Sequence, residues 1–269
     1  MQQEHGWVPP GIDLTRPSAA RVYDYYLGGS HNFGVDRELA RVAIEDWPEL
    51  PMIMQANRAF LRRAVKFCVQ AGIRQFLDIG SGIPTVGNVH EVAQELDPDC
   101  RVVYVDIDPV AVAHSRIMLA GNDFSEIVQA DLRQPERVLD APQTKALLDL
   151  SQPVAVLMVA VLHFVPDEAD PAGLVRRYLD AVAPGSFLVL SHACLEGVGE
   201  QAEFHQKLYR RAGSALTIRP VDQVAGLFGP ARLVEPGLVR LPLWRPDPAA
   251  PYEGDPAVFA GFAAVGQKV

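Results

Sequence analysis

Positive charge is in short supply in this chain: 24 lysines and arginines face 33 aspartates and glutamates, for a net charge of −9. That balance excludes the broad basic face with which proteins grip a nucleic-acid backbone. Cysteine is scarcer still, and Cys68, Cys100 and Cys194 are odd in number and widely spaced. Neither a disulfide framework nor a Cys-x-x-Cys metal site fits them, so they read as reduced and buried. The longest wholly apolar run, Val154 to Leu162, falls far short of the roughly 20 residues a membrane helix needs. The first residues show no basic stretch leading into an apolar one, so no signal peptide is expected and the chain reads as soluble and cytoplasmic. His31, His90, His114, His163, His192 and His205 lack the His-x-x-x-His and His-Glu-x-x-His spacings of zinc sites, and no Gly-x-Ser-x-Gly nucleophile elbow occurs. No repeat or low-complexity tract is visible.

What is there is a 269-residue chain with 49% hydrophobic residues, enough for one substantial core and too little for two large domains. Proline clusters mark loops at both ends, at Pro9-Pro10 and from Pro242 to Pro256. Residues 1–56, with Tyr23, Tyr25, Tyr26, His31, Asn32 and Phe33 around Gly28-Gly29, read as an N-terminal helical cap. Residues 57–269 read as the main domain, with a second cap insertion at about 192–230. Helical spacing of apolar residues from Asn57 to Ala71 leads into a strand, and thereafter continuous apolar strands alternate with amphipathic helices. Strands are expected near 76–79, 101–106, 125–130, 154–159 and 187–190, with a poorly defined stretch before Leu150. Short strand candidates at 231–234, 239–243 and 259–265 close the chain. This pattern predicts a doubly wound α/β fold, a mainly parallel seven-stranded sheet with an antiparallel edge strand.

The chemistry gathers at strand ends. Phe76-Leu-Asp-Ile-Gly-Ser-Gly82 is a buried strand ending in Asp78 and breaking into a two-glycine turn, where Gly80 and Gly82 admit positive φ and the close approach of a ligand. A carboxylate there repels a pyrophosphate and suits a cationic or hydroxyl-bearing ligand, which points toward S-adenosylmethionine rather than a dinucleotide. Asp106 closes the next strand 24 positions beyond Gly82 (82 to 106), near the interval at which nucleotide folds place a ribose-binding acid. Asp108 precedes Pro109 and reads as a helix cap. Asp131 closes the third strand, with a solvated loop aspartate as its bland alternative. Pro84, where a third small residue is usual, is expected in a helix's first turn, leaving Thr85 and Asn88 free to reach the ligand.

These motifs resemble the class I S-adenosylmethionine-dependent methyltransferases over residues 74 to 195 and the terminal strands, through Phe76–Gly82, Val105-Asp106-Ile-Asp108, Ala130-Asp131-Leu132 and Ala160-Val-Leu-His-Phe164. More narrowly, Ser18-Ala-Ala-Arg-Val-Tyr-Asp-Tyr-Tyr-Leu-Gly-Gly29, His31-Asn32-Phe33, Asn57-Arg58-Ala-Phe-Leu-Arg-Arg63 and Pro84-Thr85 with Asn88–Val92 look like an actinobacterial S-adenosyl methyltransferase family first grouped as a domain of unknown function. The resemblance implies a Rossmann-like fold with S-adenosylmethionine as cofactor. It places the methionine part against Gly80 and Gly82, the ribose on Asp106 beside Ile107, the adenine on Asp131 and Leu132, and the methionine moiety near Ala160.

Arg21 and Arg58 are candidates for gripping the methionine carboxylate, since a guanidinium pairs with a carboxylate in a bidentate manner. For a general base serving an oxygen or nitrogen acceptor the candidates are His163, Tyr23 and His31. His192, placed after the fifth strand, reads as a satisfied, partly buried residue. A methyltransferase acting on an unidentified small molecule is therefore expected, with a non-catalytic cofactor-binding regulator and an NAD(P)-dependent oxidoreductase as alternatives. Nothing in the sequence decides between monomer and homodimer.

Overall fold

A computed structural model describes residues 13–85, 87–249 and 251–269; the Pro9-Pro10 loop lies outside them. In chain order the elements are α1 (Ala19–Tyr26), α2 (Gly34–Asp46), α3 (Leu50–Gln70), β1 (Gln75–Ile79), α4 (Val89–Leu96), β2 (Arg101–Asp106), α5 (Pro109–Met118), β3 (Ser125–Gln129), α6 (Pro135–Leu139) and α7 (Pro142–Leu147). Then come β4 (Ala155–Val159), α8 (Pro171–Asp180), β5 (Phe187–Ala193), α9 (Gly199–Arg211), α10 (Val221–Gly226), β6 (Arg232–Leu233), β7 (Val239–Arg240) and β8 (Gly261–Gln267). The poorly defined stretch before Leu150 is thus α6 and α7, each opened by a proline whose missing N–H costs nothing at a helix start.

The sheet runs β3-β2-β1-β4-β5-β8-β6, with β7 also on β8. Its first five strands are parallel, and β8 is antiparallel to β5. The sheet has eight strands rather than the expected seven. The two-residue β6 and β7 pair with opposite ends of the same edge of β8, Leu233 beside Gly266 and Val239 beside Ala263, and so share one position.

The alternation of side chains across the pleat explains the continuous apolar strands. Phe187 and Val189 of β5 enter the core beneath α3 and α4, whereas Leu188 and Leu190 enter the opposite core beneath α8 and α10. The chain leaves β1 outward to β2 and β3, then returns to β4 on β1's other side. In an open α/β sheet such a reversal leaves a crevice at the carboxyl ends of the strands.

Two expectations need correction. The boundary at 56/57 falls inside α3, an unbroken 21-residue helix whose Phe60 and Leu61 share a core with Val22 and Tyr26 of α1. No helix opens at Pro84 either: α4 starts at Val89, behind an Asn88 cap whose side chain and that of Glu91 form a reciprocal capping box. The three cysteines are buried and unbridged. Among the described residues no helix is long and apolar enough to cross a membrane.

Candidate functional site

A cavity of about 550 Å³ occupies the crevice, lined by Asp78, Gly80, Ser81 and Gly82 after β1, Asp106, Ile107 and Asp108 after β2, Asp131, Leu132 and Arg133 after β3, and Ala160 and Val161 after β4. Gly80 and Gly82 take φ of +73° and +69°. A Cβ on Gly80 would lie 2.3 Å from Val161 Cγ2, so this position needs glycine for its space as well as its backbone.

Asp106 is the keystone of the turn. Its Oδ2 accepts from Gly82 N at 2.7 Å and its Oδ1 from Asp108 N at 2.8 Å. Burial raises its carboxyl to about 6 despite these donors. Asp108 caps α5 as expected, accepting from Val110 N and Ala111 N. Asp78 takes no side-chain hydrogen bond from the described residues, and burial, only partly offset by Arg58, raises it to about 7. A buried carboxyl without protein donors on a cavity wall is a place for a cationic ligand.

Asp131 holds Arg133 instead of facing an empty wall. Its Oδ2 lies 2.6 Å from Arg133 Nη2 and its Oδ1 accepts from Arg133 N at 2.9 Å. These bonds keep its carboxyl below the ordinary range. Ile107, also lining the cavity, is 60% exposed.

The cationic and basic candidates separate. Arg58 lines the cavity, and its buried Nε has no hydrogen-bond partner among the described residues. Arg21 does not line it: its Nε sits 3.3 Å from Asp36 Oδ1 and 3.8 Å from Asp108 Oδ2, and its Nη2 donates to Arg16 O. Arg21 therefore staples α1 to α2 and to the end of β2. Thr85 also lies outside the cavity, because its N–H donates to Asn88 Oδ1 and its carbonyl accepts from Asn88 Nδ2. His31 lies outside as well, its ring centroid 3.9 Å from that of His114.

A smaller chamber of about 100 Å³ adjoins the first and shares Ala19, Tyr23, Asn57, Ala160 and Phe164 with it. Its walls come from the N-terminal helices (Tyr26, Trp47, Leu50, Ile53), from the later insertion (His205, Tyr209, Leu216, Ile218) and from His163 and His192. The two sequence segments read as caps thus roof one chamber together.

At the junction a chain of hydrogen bonds runs in one direction. Ala160 N donates to Ser191 Oγ at 3.0 Å, Ser191 Oγ to Asn57 Oδ1 at 2.6 Å, Asn57 Nδ2 to Tyr23 Oη at 2.9 Å, and Tyr23 Oη to the Met54 carbonyl at 3.3 Å. Ala160 sits at φ +55°, a strained conformation for a residue with a Cβ, of the kind that collects at functional sites. Tyr23's proton is held by a carbonyl and burial raises its phenol above the ordinary range, so it serves as a wall hydroxyl rather than a base.

His192 lies within β5, opposite Phe262, rather than after it. Its Nδ1 sits 2.6 Å from the Ala193 carbonyl and its Nε2 2.9 Å from Arg219 Nη1. Since a carbonyl only accepts and a guanidinium only donates, the ring is neutral with its proton on Nδ1. Burial pushes its pKa down to about 4. Arg219 also reaches the Leu162 and Val165 carbonyls and Asp167, fixing the turn that presents His163. His163 itself is buried, its Nδ1 has no hydrogen-bond partner among the described residues, and burial followed by His192 and Arg219 holds its pKa well below the ordinary range.

Asn57, Ser191 and Arg219 were not singled out as site residues. Asn57 had a signal: a polar residue three and four positions before Phe60 and Leu61 lies on the apolar face of its helix. Ser191 interrupts an apolar strand in the same way. Ala160's backbone conformation has no sequence signal.

Residues 5–269 match the family model described as S-adenosyl methyltransferase. The crystal structure of a proposed methyltransferase from Thermobifida fusca is similar at 41% identity, with 98% of this chain and 99% of that chain covered and a TM-score of 0.91. A DUF574-family protein from Streptomyces avermitilis is similar at 38% identity, with 96% and 99% covered and a TM-score of 0.92. No curated protein matches the chain.

Proposed function

The chain belongs to the S-adenosyl methyltransferase family and is an S-adenosylmethionine-dependent methyltransferase of class I fold; from that premise we propose that it methylates an oxygen or nitrogen atom of a small molecule seated in the chamber beside the cofactor cavity. The observation that carries the reading is the junction: the larger cavity and the smaller one share Ala160, Tyr23, Asn57 and Phe164 as lining residues.

The larger cavity fits S-adenosylmethionine. Asp78 would take its ammonium and Arg58 its carboxylate, the Gly80–Gly82 turn would pass close beneath the methionine part, and Asp106 would accept from the ribose hydroxyls. Asp131 and Leu132 would meet the adenine, with Ile107 against its face. Arg58 Nε and Ser81 Oγ, neither with a hydrogen-bond partner among the described residues, are two further groups suited to a polar ligand. When bound, the cofactor supplies a methyl group already activated for displacement, so the protein mainly aligns the acceptor and excludes water.

His163 is the group placed to receive the acceptor's proton. Its depressed pKa keeps the imidazole neutral, hence able to accept, throughout the neutral range. The test is release of S-adenosylhomocysteine across a panel of phenols, amines and carboxylates. At least one acceptor should turn over, and His163→Asn should lower kcat by about 10²-fold or more while the affinity for S-adenosylmethionine holds. Silence with every acceptor contradicts the small-molecule reading, and full activity of the variant contradicts the role of His163.

A further inference from the structure

The chamber's wall is uncharged. Its lining contains no Asp, Glu, Lys or Arg, and its titratable members rest in their neutral forms: His163 and His205 are held below the ordinary histidine range, and Tyr23, Tyr26 and Tyr209 above the ordinary phenol range, by burial in every case. The nearest charges stand behind the lining, against His192 and His205, rather than in it. Arg219 binds Asp167 and main-chain carbonyls behind His192, and Asp46, 3.3 Å from His205 Nε2, is not a lining residue.

Several polar groups of the wall are matched to one another. Tyr23, Asn57 and Ser191 form the directed chain, His192 is held on both nitrogens, and the hydroxyl of Tyr26 stands next to that of Tyr209. Three buried polar atoms of the wall have no hydrogen-bond partner among the described residues, Tyr26 Oη, His205 Nε2 and His163 Nδ1; of these, the His163 ring packs against the rings of Phe164 at 4.5 Å and His192 at 5.4 Å. A buried polar atom left in this state is destabilising until a ligand pairs with it. The rest of the wall is aromatic and aliphatic, which suits a planar ring. Size sets a limit, since an apolar cavity that binds benzene is about 150 Å³ and this chamber is about 100 Å³. No more than one ring can be seated, and it must extend past the chamber into the junction shared with the larger cavity.

We propose that the chamber is an acceptor site for a neutral, single-ring molecule with one protic O–H or N–H group that pairs with His163, and that it rejects carboxylates and protonated amines of the same size. Placing an ion against this wall would strip its hydration and give no counter-charge in return. The proposal rests on the reading of the larger cavity as the cofactor site.

Calorimetric titration of the full chain at pH 7.5 tests the two in order. S-adenosylhomocysteine is titrated first; no binding overturns the cofactor reading and, with it, this proposal. The loaded protein is then titrated with benzyl alcohol and phenol against benzylamine and benzoate, which match them closely in shape but carry a charge. The neutral pair should bind at least tenfold more tightly than the charged pair. Leu216→Trp, which fills the chamber from a residue outside the cofactor cavity, should abolish that binding and leave S-adenosylhomocysteine affinity unchanged. Charged compounds that bind as well as the neutral ones, neutral compounds that do not bind the loaded protein, or neutral binding that survives in a folded Leu216→Trp protein would each overturn the proposal.

Discussion

Ser191 Oγ and Asn57 Oδ1 lie 2.6 Å apart although 134 residues separate them in the chain. One belongs to the parallel sheet and the other to the helix that carries the N-terminal layer onto it. Their bond fixes the wall between the two cavities, because Asn57 passes the constraint to Tyr23 and Ser191 passes it to the strained Ala160. Asn57→Ala leaves the Ser191 hydroxyl and the Tyr23 oxygen short of a partner in a dry setting. The expected loss is about 1–3 kcal/mol of stability, read as a lowered urea midpoint, and an unchanged midpoint would count against this coupling.

Gly80→Ala meets two obstacles, a positive φ and the Val161 side chain. We expect destabilisation of about 1–3 kcal/mol and loss of cofactor binding. The double variant Gly80→Ala, Val161→Ala should recover part of the stability, since it removes the 2.3 Å contact with Val161 Cγ2 and leaves the 2.8 Å approach of Val161 Cβ and the backbone strain. Equal stability of the single and double variants would assign the cost to φ and the Cβ approach rather than to Val161 Cγ2.

The pH dependence of the empty protein follows from Asp78 and Asp106, whose carboxyls are raised to about 7 and about 6. A carboxyl that titrates higher folded than unfolded binds more protons in the folded state between those two values. Its contribution to stability therefore falls as pH rises from about 4 to 7. Asp78→Asn should remove part of that fall, so the empty variant should melt above the wild type at pH 8. Thermal melts at pH 5 and pH 8 check the sign; a variant that melts lower at pH 8 would mean that the Asp78 carboxylate is stabilised there.

If the same carboxyl meets the ligand's ammonium as proposed, cofactor affinity should rise with pH. A cationic ligand needs Asp78 ionised, so S-adenosylmethionine should bind more tightly at pH 8 than at pH 5.5, and Asp78→Asn should flatten that slope. Affinity that is independent of pH in the wild type would remove Asp78 from the ligand's ammonium.

Much of this was legible in the sequence because parallel strands buried on both faces leave an unmistakable apolar run, and because the acids at positions 78, 106 and 131 fall where such strands end. The glycine turn was legible for the same reason. Thr85 and Asn88 misled: Pro84 suggested a helix start, but the Asn88–Glu91 capping box sets the start of α4 at Val89 and ties Thr85 to the cap. Arg21 misled as well, since its partners Asp36 and Asp108 are brought to it only by the packing of α1 on α2 and the end of β2. The smaller chamber was beyond reading along the chain. Its walls come from residues as far apart as Ala19 and Gly261, and no local pattern announces that two caps will meet.

Asp106 organises the glycine turn and is the proposed ribose ligand. Calorimetric titration of wild type and Asp106→Ala with S-adenosylhomocysteine tests it, alongside NAD. The wild type should bind S-adenosylhomocysteine and give no heat with NAD. The variant should lose two charge-assisted hydrogen bonds of about 1.5–3 kcal/mol each, and so bind at least about 10²-fold more weakly. Unchanged affinity in a folded Asp106→Ala protein, or tight binding of NAD with none of S-adenosylhomocysteine, would contradict it.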